Sequence, residues 1–219
     1  MANFLNTFFA GIDGSMFSFV NNMAKNGGAF FTPFFEFVTI FCEKGWFFIA
    51  LGLVLALFSK HIKAGFCILL AVAFGGLFTN IILKKMVARP RPYTVEEFRV
   101  FWEFVGAHKE SEYSFPSGHT TSAFAGALAF FIMKDKKYSW LMLVFASFIA
   151  FSRIYLVVHY TSDIFGGIIS GSLAAVCSYA VTKILFNYID KKSEDCKFFK
   201  FVKEFDIVEF FKKPKKEQK

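Results

Sequence analysis

Long apolar runs alternate with short polar breaks along most of the chain, and this pattern predicts membrane-spanning helices. Five runs carry few charged residues, at residues 46–59, 64–83, 115–133, 138–158 and 164–186. Four of them approach the roughly 20 residues that a helix needs to cross a bilayer. The first run is shorter, and it spans only if the bilayer thins or its flanking lysines snorkel. We therefore predict an all-α, polytopic transmembrane helix bundle with five spanning helices.

The N-terminal part of the chain has a weaker apolar pattern. Residues 4–24 are broken by asparagines and an aspartate, and a proline and a glutamate make residues 29–42 a poor span. The prediction is an interfacial or partly embedded helical segment at residues 1–44, followed by a transmembrane bundle at residues 45–187. The alternative topology uses residues 29–42 as a sixth span.

Residues 188–219 form a basic tail with apolar side chains at helical spacing. These side chains belong to Phe198, Phe201, Val202, Phe205 and Val208. An amphipathic segment of this kind is predicted to lie in the inner membrane interface, where its lysines meet anionic headgroups. A solvated tail with some helix is the alternative.

The amino-acid composition is that of a membrane protein, and the distribution of charge indicates which class of partner the protein binds. Hydrophobic residues make up 55% of the chain, aromatic residues 21% and charged residues 19%, which is typical of a polytopic membrane protein. The net charge of +8 comes from cations that flank apolar runs or crowd the tail. This distribution indicates membrane lipids, not nucleic acid, as partners. The four cysteines form no CxxC pair, so neither a zinc site nor a disulfide framework is indicated.

The lysines also predict the orientation of the bundle. Residues 134–137 and the tail are lysine-rich and are expected on the cytoplasmic side. The connection at residues 84–114 then lies on the extracytoplasmic face of the cell membrane. Four cations on that face need a different explanation, namely Lys84, Lys85, Arg89 and Arg91. Lys85 is interpreted as a snorkelling anchor, and Arg89 is left without a role.

Three polar motifs break the apolar pattern, and the predicted topology places all three at this outer face. They are KKMVARPRP at residues 84–92, PSGH at residues 116–119 and SRIYLVVHYTSD at residues 152–163. Ionisable residues at membrane depth are expensive and mark functional sites. A helix bundle would gather these distant motifs at one mouth, which predicts a single polar site.

The residue types in the motifs predict a phosphate-binding site. Lys84, Arg91 and Arg153 are cations, and the arginine guanidinium suits bidentate recognition of phosphate oxygens. Ser117 and Gly118 lie at a predicted helix N-terminus, where free N–H groups and the helix dipole favour an anion. The glycine also lets an oxyanion approach the backbone closely.

Two histidines and an aspartate supply candidate catalytic groups. His159 and Asp163 are four residues apart, so one helical turn would place them on the same face. An aspartate that accepts from one ring nitrogen leaves the other nitrogen free to attack phosphorus, although a structural hydrogen bond is the alternative for this pair. His119 is available for acid–base chemistry. Since no carboxylate cluster for Mg²⁺ is present, the predicted site uses no metal and no cofactor.

In order and spacing, these motifs resemble those of the type-2 phosphatidic acid phosphatase superfamily, which also includes vanadium haloperoxidases and glucose-6-phosphatase. Residues 84–92 fit K-x6-R-P, residues 116–119 fit P-S-G-H, and residues 152–163 fit S-R-x5-H-x3-D. The resemblance covers about residues 46–186. Many bacterial lipid phosphatases of this family resemble six-span bundles, which is one span more than predicted here.

The resemblance implies a metal-independent lipid phosphatase that works through a phosphohistidine. His159 would attack the phosphorus, Asp163 would orient its ring, and His119 would protonate the leaving group and then activate water. The three cations and the helix N-terminus named above would bind the phosphate oxygens.

A phosphate site at headgroup level suits a lipid whose tail stays in the bilayer. Candidate substrates are undecaprenyl diphosphate, phosphatidic acid and phosphatidylglycerol phosphate. The aromatic and acidic loop at residues 93–114 is interpreted as a lid or selectivity element. Three alternative functions differ in class. They are a phosphotransferase using the same site, a vanadate-dependent haloperoxidase, which the spans disfavour, and a non-enzymatic lipid or phosphate transporter, which leaves the paired histidines unexplained.

Overall fold

A computed structural model of the protein describes residues 1–193 and 196–212, and within these ranges the chain is helical with no strand. The helices are α1 (Ala2–Phe8), α2 (Ala10–Ile40), α3 (Trp46–Ala56), α4 (Ile62–Gly76), α5 (Lys84–Val87), α6 (Glu96–Phe104), α7 (Gly118–Met133), α8 (Lys136–Ser139), α9 (Leu141–Tyr155), α10 (Thr161–Lys192), α11 (Lys197–Glu204) and α12 (Ile207–Lys212). A π-helical segment joins α4 to α5. The predicted all-α class is confirmed.

Four helical stretches of the described chain are long and apolar enough to cross a membrane. They are Ala10–Ala56, Ile62–Thr94, Lys136–Tyr155 and Thr161–Lys192. Helix α7 is also apolar but has 16 residues, so it is short for a span. A polytopic helical protein follows from these lengths, and the number of spans stays a prediction.

Helix α7 is the centre of the bundle, and α4, α9 and α10 pack around it. Small residues allow the closest approach. A Cβ atom added to Gly171 of α10 would lie 2.5 Å from the carbonyl oxygen of Thr121, and one added to Gly126 of α7 would lie 2.2 Å from the Phe48 ring. Glycine at these positions lets the helix backbones meet, as is common between membrane helices.

Helix α2 packs against the bundle along much of its length, and its backbone is bent at Gly27. Before the bend, Phe17 is fully buried and lies 5.8 Å from the Tyr160 ring. After the bend, Phe35 lies 4.8 Å from the Tyr155 ring of α9. The N-terminal segment therefore shares a hydrophobic core with the bundle, while the predicted boundaries of the three regions remain predictions.

The two segments predicted as loop and tail contain helices. The connection after α5 folds back through α6, where Trp102 Nε1 donates to the carbonyl of His108 at 2.7 Å. In the tail, the Asp206 carboxylate accepts from the backbone N and the Oγ of Ser59, each at 3.1 Å. This contact docks α12 on the α3–α4 connection. The rest of the predicted tail, at residues 194–195 and 213–219, lies outside the described residues.

Candidate active site

A cavity of about 700 Å³ opens where α2, α5, α7 and α9 meet the connection that follows α6. Six of the eight predicted site residues line this cavity, namely Lys84, Arg91, Gly118, His119, Arg153 and His159. The other two, Ser117 and Asp163, are fully buried and do not line it. The structure thus gathers residues that are up to 75 positions apart in the sequence, from Lys84 to His159.

Three buried cations form one side of the cavity. The exposed fractions of Lys84, Arg91 and Arg153 are 6%, 5% and 3%. Arg91 donates through Nε to the carbonyl of Glu112 at 2.7 Å and through Nη1 to the carbonyl of Val158 at 2.9 Å. Charge withdrawn from water needs a counter-charge or hydrogen bonds, so these cations require anionic or hydrogen-bonding partners within the cavity.

Two glutamates of the connection at residues 105–114 provide that counter-charge. Glu112 forms an ion pair with Lys84, and Glu110 forms an ion pair with Arg153. Both glutamates line the cavity. Carboxylate oxygens therefore occupy the positions beside the cations where phosphate oxygens are predicted to bind.

The N-terminus of α7 forms another part of the cavity wall. Ser117 caps this helix, because its Oγ accepts from the backbone N of Thr120 at 3.4 Å and from the Thr120 hydroxyl at 3.0 Å. Gly118 and His119 are the first helical residues, so their N–H groups have no partner within the helix. A Cβ atom added to Gly118 would lie 3.7 Å from Lys84 Nζ. The glycine thus keeps open the space between the helix N-terminus and the lysine.

His159 lies in the turn between α9 and α10, which corrects the prediction that a helical turn pairs it with Asp163. Helix α9 ends at Tyr155, and Val157 then has φ = +56°, a left-handed conformation that is costly for a β-branched residue. The backbone N–H groups of Val158 and His159 both donate to the carbonyl of Arg153, at 3.2 and 3.3 Å. This strained turn, and not helical periodicity, sets the position of the imidazole.

The contacts of His159 define its tautomer. Nε2 lies 3.0 Å from Arg91 Nη1, which is a donor. Nδ1 lies 3.5 Å from Asp163 Oδ2 and forms no hydrogen bond with any described residue, so Asp163 is the nearest carboxylate without being bonded to it. A neutral imidazole that accepts at Nε2 carries its proton on Nδ1, facing the aspartate. Burial, and then the charges of Arg91 and Arg153, lower the pKa of His159 well below its usual value. The ring is therefore neutral near pH 7, with the Nε2 lone pair directed at the cationic side of the cavity.

The Asp163 carboxylate is held from several sides. Oδ2 accepts from the backbone N of Tyr160 at 2.9 Å and from the Ser114 hydroxyl, and Oδ1 accepts from Arg89 Nη1 at 2.7 Å. The contact with Tyr160 closes a capping box at the start of α10. Asp163 therefore caps α10 and faces His159 at the same time.

Three residues around Asp163 were not predicted from the sequence as part of the site: Asp13, Arg89 and Ser114. Arg89 and Ser114 are fully buried, and the exposed fraction of Asp13 is 3%. A signal existed for two of them, because a buried arginine and an aspartate within an apolar helix are both expensive in a membrane protein. Ser114 carries no such signal, since serine is common in connections.

The part of the chain that holds the site is similar to a known protein family and to several named relatives. A family model described as the PAP2 superfamily matches residues 64–186, which contain all eight predicted site residues. The lipid A 4'-phosphatase of Porphyromonas gingivalis is 32% identical over 117 residues, covering 52% of this chain and 49% of that protein. An undecaprenyl-diphosphatase of Bacillus subtilis is 25% identical over 115 residues, covering 52% of this chain and 56% of the relative.

The match to these two relatives thus spans about half of their length, whereas other similarities extend further. A putative undecaprenyl-diphosphatase of Escherichia coli is 29% identical over 170 residues, covering 76% of this chain and 81% of that protein. The crystal structure of Aquifex aeolicus LpxE has a TM-score of 0.53 at 22% identity, covering 75% of this chain and 92% of that one. The structural similarity supports the helical fold.

Proposed function

Because the chain belongs to the PAP2 superfamily, we propose that it is an integral-membrane lipid phosphatase that hydrolyses the terminal phosphate of a lipid phosphate or diphosphate. The observation that carries this proposal is the meeting of two histidines and three buried cations in one cavity, with an aspartate behind one of the histidines. Such a set provides a nucleophile, an acid–base group and charge stabilisation for phosphoryl transfer.

In the proposed first step, His159 Nε2 attacks the phosphorus. The P–N bond forms as the bond to the lipid oxygen breaks, and His119 protonates the departing oxygen. Arg91, which donates to Nε2 in the structure, turns to the phosphate oxygens when the lipid binds. Asp163 faces the Nδ1 proton and stabilises the positive charge that develops on the ring.

In the proposed second step, water replaces the histidine on phosphorus. His119, now neutral, removes a proton from the attacking water, and the P–N bond breaks to release inorganic phosphate and free His159. Lys84, Arg91, Arg153 and the first N–H groups of α7 bind the oxygens that carry charge in both transition states. This electrostatic stabilisation is usually the largest catalytic contribution.

The proposed substrates are lipids, for two reasons. The site lies at the end of an apolar helix bundle, where the phosphate of a lipid reaches the cations while its tail remains in the membrane. The relatives reported above are named as phosphatases of lipid A and undecaprenyl diphosphate. We propose undecaprenyl diphosphate, phosphatidic acid and phosphatidylglycerol phosphate as the substrates to test, with the site on the extracytoplasmic face and no requirement for a metal ion.

The test is phosphate release from these three lipids by the detergent-solubilised protein in the presence of EDTA. The proposal expects release by the wild type and loss of release in His159→Ala. His61→Ala is the matched control, because His61 lies on the α3–α4 connection and contacts Lys134, away from the cavity. A folded wild type that releases no phosphate, or an active His159→Ala variant, would contradict the proposal. Release that requires a second lipid as phosphate acceptor would indicate a phosphotransferase.

A further inference from the structure

Arg89 is a fully buried arginine that the proposed chemistry does not use. Its Nε donates to Asn6 Oδ1 at 2.8 Å, and its guanidinium carbon lies 3.8 Å from the centre of the Tyr160 ring. It does not line the cavity. A phosphate group bound beside Lys84 and Arg153 would therefore not reach it, and its charge must serve the protein itself.

That charge is shared by two buried carboxylates. Arg89 Nη1 lies 2.7 Å from Asp163 Oδ1, and Nη2 lies 3.0 Å from Asp13 Oδ2. Asp13 also accepts from the backbone N of Ser162 at 2.9 Å and from its hydroxyl at 2.8 Å. Two carboxylates without a cation between them would not both remain ionised in such a place.

The other charged and titratable groups around Asp163 do not replace this contact. His159 faces Asp163 at 3.5 Å and is neutral in the resting state. Arg91 is directed at His159 and the carbonyl of Val158, and Tyr160 contacts Asp163 through its backbone N. Within residues 1–193 and 196–212, Arg89 is the one lysine or arginine that forms an ion pair with Asp163.

Resting on the proposed function, we propose that Arg89, held by Asp13, is a positioning residue that keeps Asp163 ionised and directed at Nδ1 of His159. Asp13 belongs to α2 and contacts the residue before Asp163. The N-terminal helix thereby contributes to the catalytic apparatus through Asp13, although Asp13 itself does not line the cavity. A merely structural arginine would affect folding but would leave the chemical step of the folded enzyme unchanged.

Steady-state kinetics of three variants distinguish these roles. Arg89→Met is expected to lower kcat about 100-fold, as expected when a reacting group is misplaced by about 1 Å, with KM within about twofold of the wild type. Arg89→Lys, which keeps a cation, is expected to recover part of this loss. The matched control is Arg99→Met, because Arg99 is half-exposed on α6 and pairs loosely with Glu96 at 3.7 Å; its kinetics should match the wild type.

A second measurement does not depend on activity. A protonated carboxyl group shows an infrared carbonyl stretch that an ionised carboxylate lacks. Arg89→Met is expected to gain such a band, and Asp163→Asn introduced into the same variant should remove it. If the wild type releases no phosphate from any lipid, the proposed function fails, while this band still decides the role of Arg89.

Asp13→Asn provides the test if Arg89→Met does not fold. This variant keeps the ion pair of Arg89 and Asp163 but removes the charge that anchors the guanidinium. We therefore expect kcat to fall about 10-fold, the smaller end of the loss of activity seen when a residue that orients a functional side chain is replaced. The proposal is overturned if folded Arg89→Met or Asp13→Asn retains the wild-type kcat. It is also overturned if KM rises while kcat stays constant, which would make Arg89 a substrate contact, or if no carboxyl band appears in folded Arg89→Met.

Discussion

Replacing Glu110 or Glu112 by glutamine should make the protein bind phosphate more tightly. In the structure these two side chains are ion-paired with Arg153 and Lys84. An incoming phosphate group must displace them, and afterwards it lies close to their negative charges. Glutamine keeps the size and hydrogen-bonding atoms of glutamate while removing the charge. The substitution weakens the ion pair that phosphate must displace, and it removes the repulsion between the carboxylate and the bound phosphate. Both effects favour the phosphate complex over the free protein.

The exposure of each pair sets the magnitude. Hydrogen bonds to charged groups contribute about 1.5–3 kcal/mol when well shielded. The exposed fractions of the Arg153 and Glu110 side chains are 4% and 30%, so we take the lower limit, about 1.5 kcal/mol, which corresponds to slightly more than tenfold tighter binding. Half of the Glu112 side chain is exposed, at 54%. Its contribution falls toward the range of surface pairs, about 0.5–1 kcal/mol, which corresponds to two- to fivefold.

Titration calorimetry with inorganic phosphate measures this change directly, and product inhibition of lipid hydrolysis measures it under turnover. Glu103→Gln is the matched control, because Glu103 is an exposed glutamate of α6 that does not line the cavity. Phosphate affinity that is unchanged or weaker in folded Glu110→Gln would refute the reasoning. The glutamates would then be ligands that organise the site for the substrate, and not competitors of its phosphate.

Three further predictions concern the helix that begins at Gly118, His159 itself, and a donor to Asp163. Gly167→Ala should destabilise the protein by about 1–3 kcal/mol and reduce phosphate release, because the added Cβ would lie 2.9 Å from the carbonyl oxygen of Ser117 at the start of α7. The control is Gly11→Ala, which has open space around it and should change neither stability nor activity. Equal thermal midpoints of the two variants would contradict the prediction. Burial, and then Arg91 and Arg153, lower the pKa of His159 below its usual 6.5, so the unfolded chain binds a proton that the folded protein does not. The free energy of unfolding should then fall with decreasing pH below about 6.5, by up to about 1.4 kcal/mol per pH unit, and the thermal midpoint should fall with it; a curve for His159→Asn that is equally steep would argue against this origin. Ser114→Ala removes one donor to the Asp163 carboxylate and should lower kcat about 10-fold with an unchanged KM, and a wild-type kcat would show that the remaining donors suffice.

That the cations of the cavity belong to one site was predictable from the sequence because their chemistry is local. Arg91 and Arg153 are charged residues next to apolar runs, and the cost of placing them there indicates a ligand whatever the fold. The helix N-terminus at Gly118 was also predictable, since a serine that precedes a glycine and an apolar run is a capping signal. What the helix periodicity could not supply is the turn that carries His159, because a left-handed valine has no sequence signature.

The contribution of α2 was missed for a related reason. Asp13 interrupts an apolar segment, and an interruption suggests a helix that lies at the interface. The structure shows that this aspartate is buried against Ser162 and Arg89, a role that the interruption alone did not indicate. Its partners are 149 and 76 positions away, and contacts at such separations depend on how the helices are arranged, which no local pattern encodes.

The contact between Asp13 and Ser162 can form only late in synthesis, because its two residues are far apart in the sequence. Asp13 leaves the ribosome 149 residues ahead of Ser162, a delay of roughly 7–30 s at 5–20 residues per second. Lys84 and Arg91 are translated within this interval, so two of the cations of the site are present in the nascent chain before His159 is made. A chain that stops before α10 holds the cations of the site and His159, but it lacks both Ser162, the partner of Asp13, and Asp163, the carboxylate that faces His159.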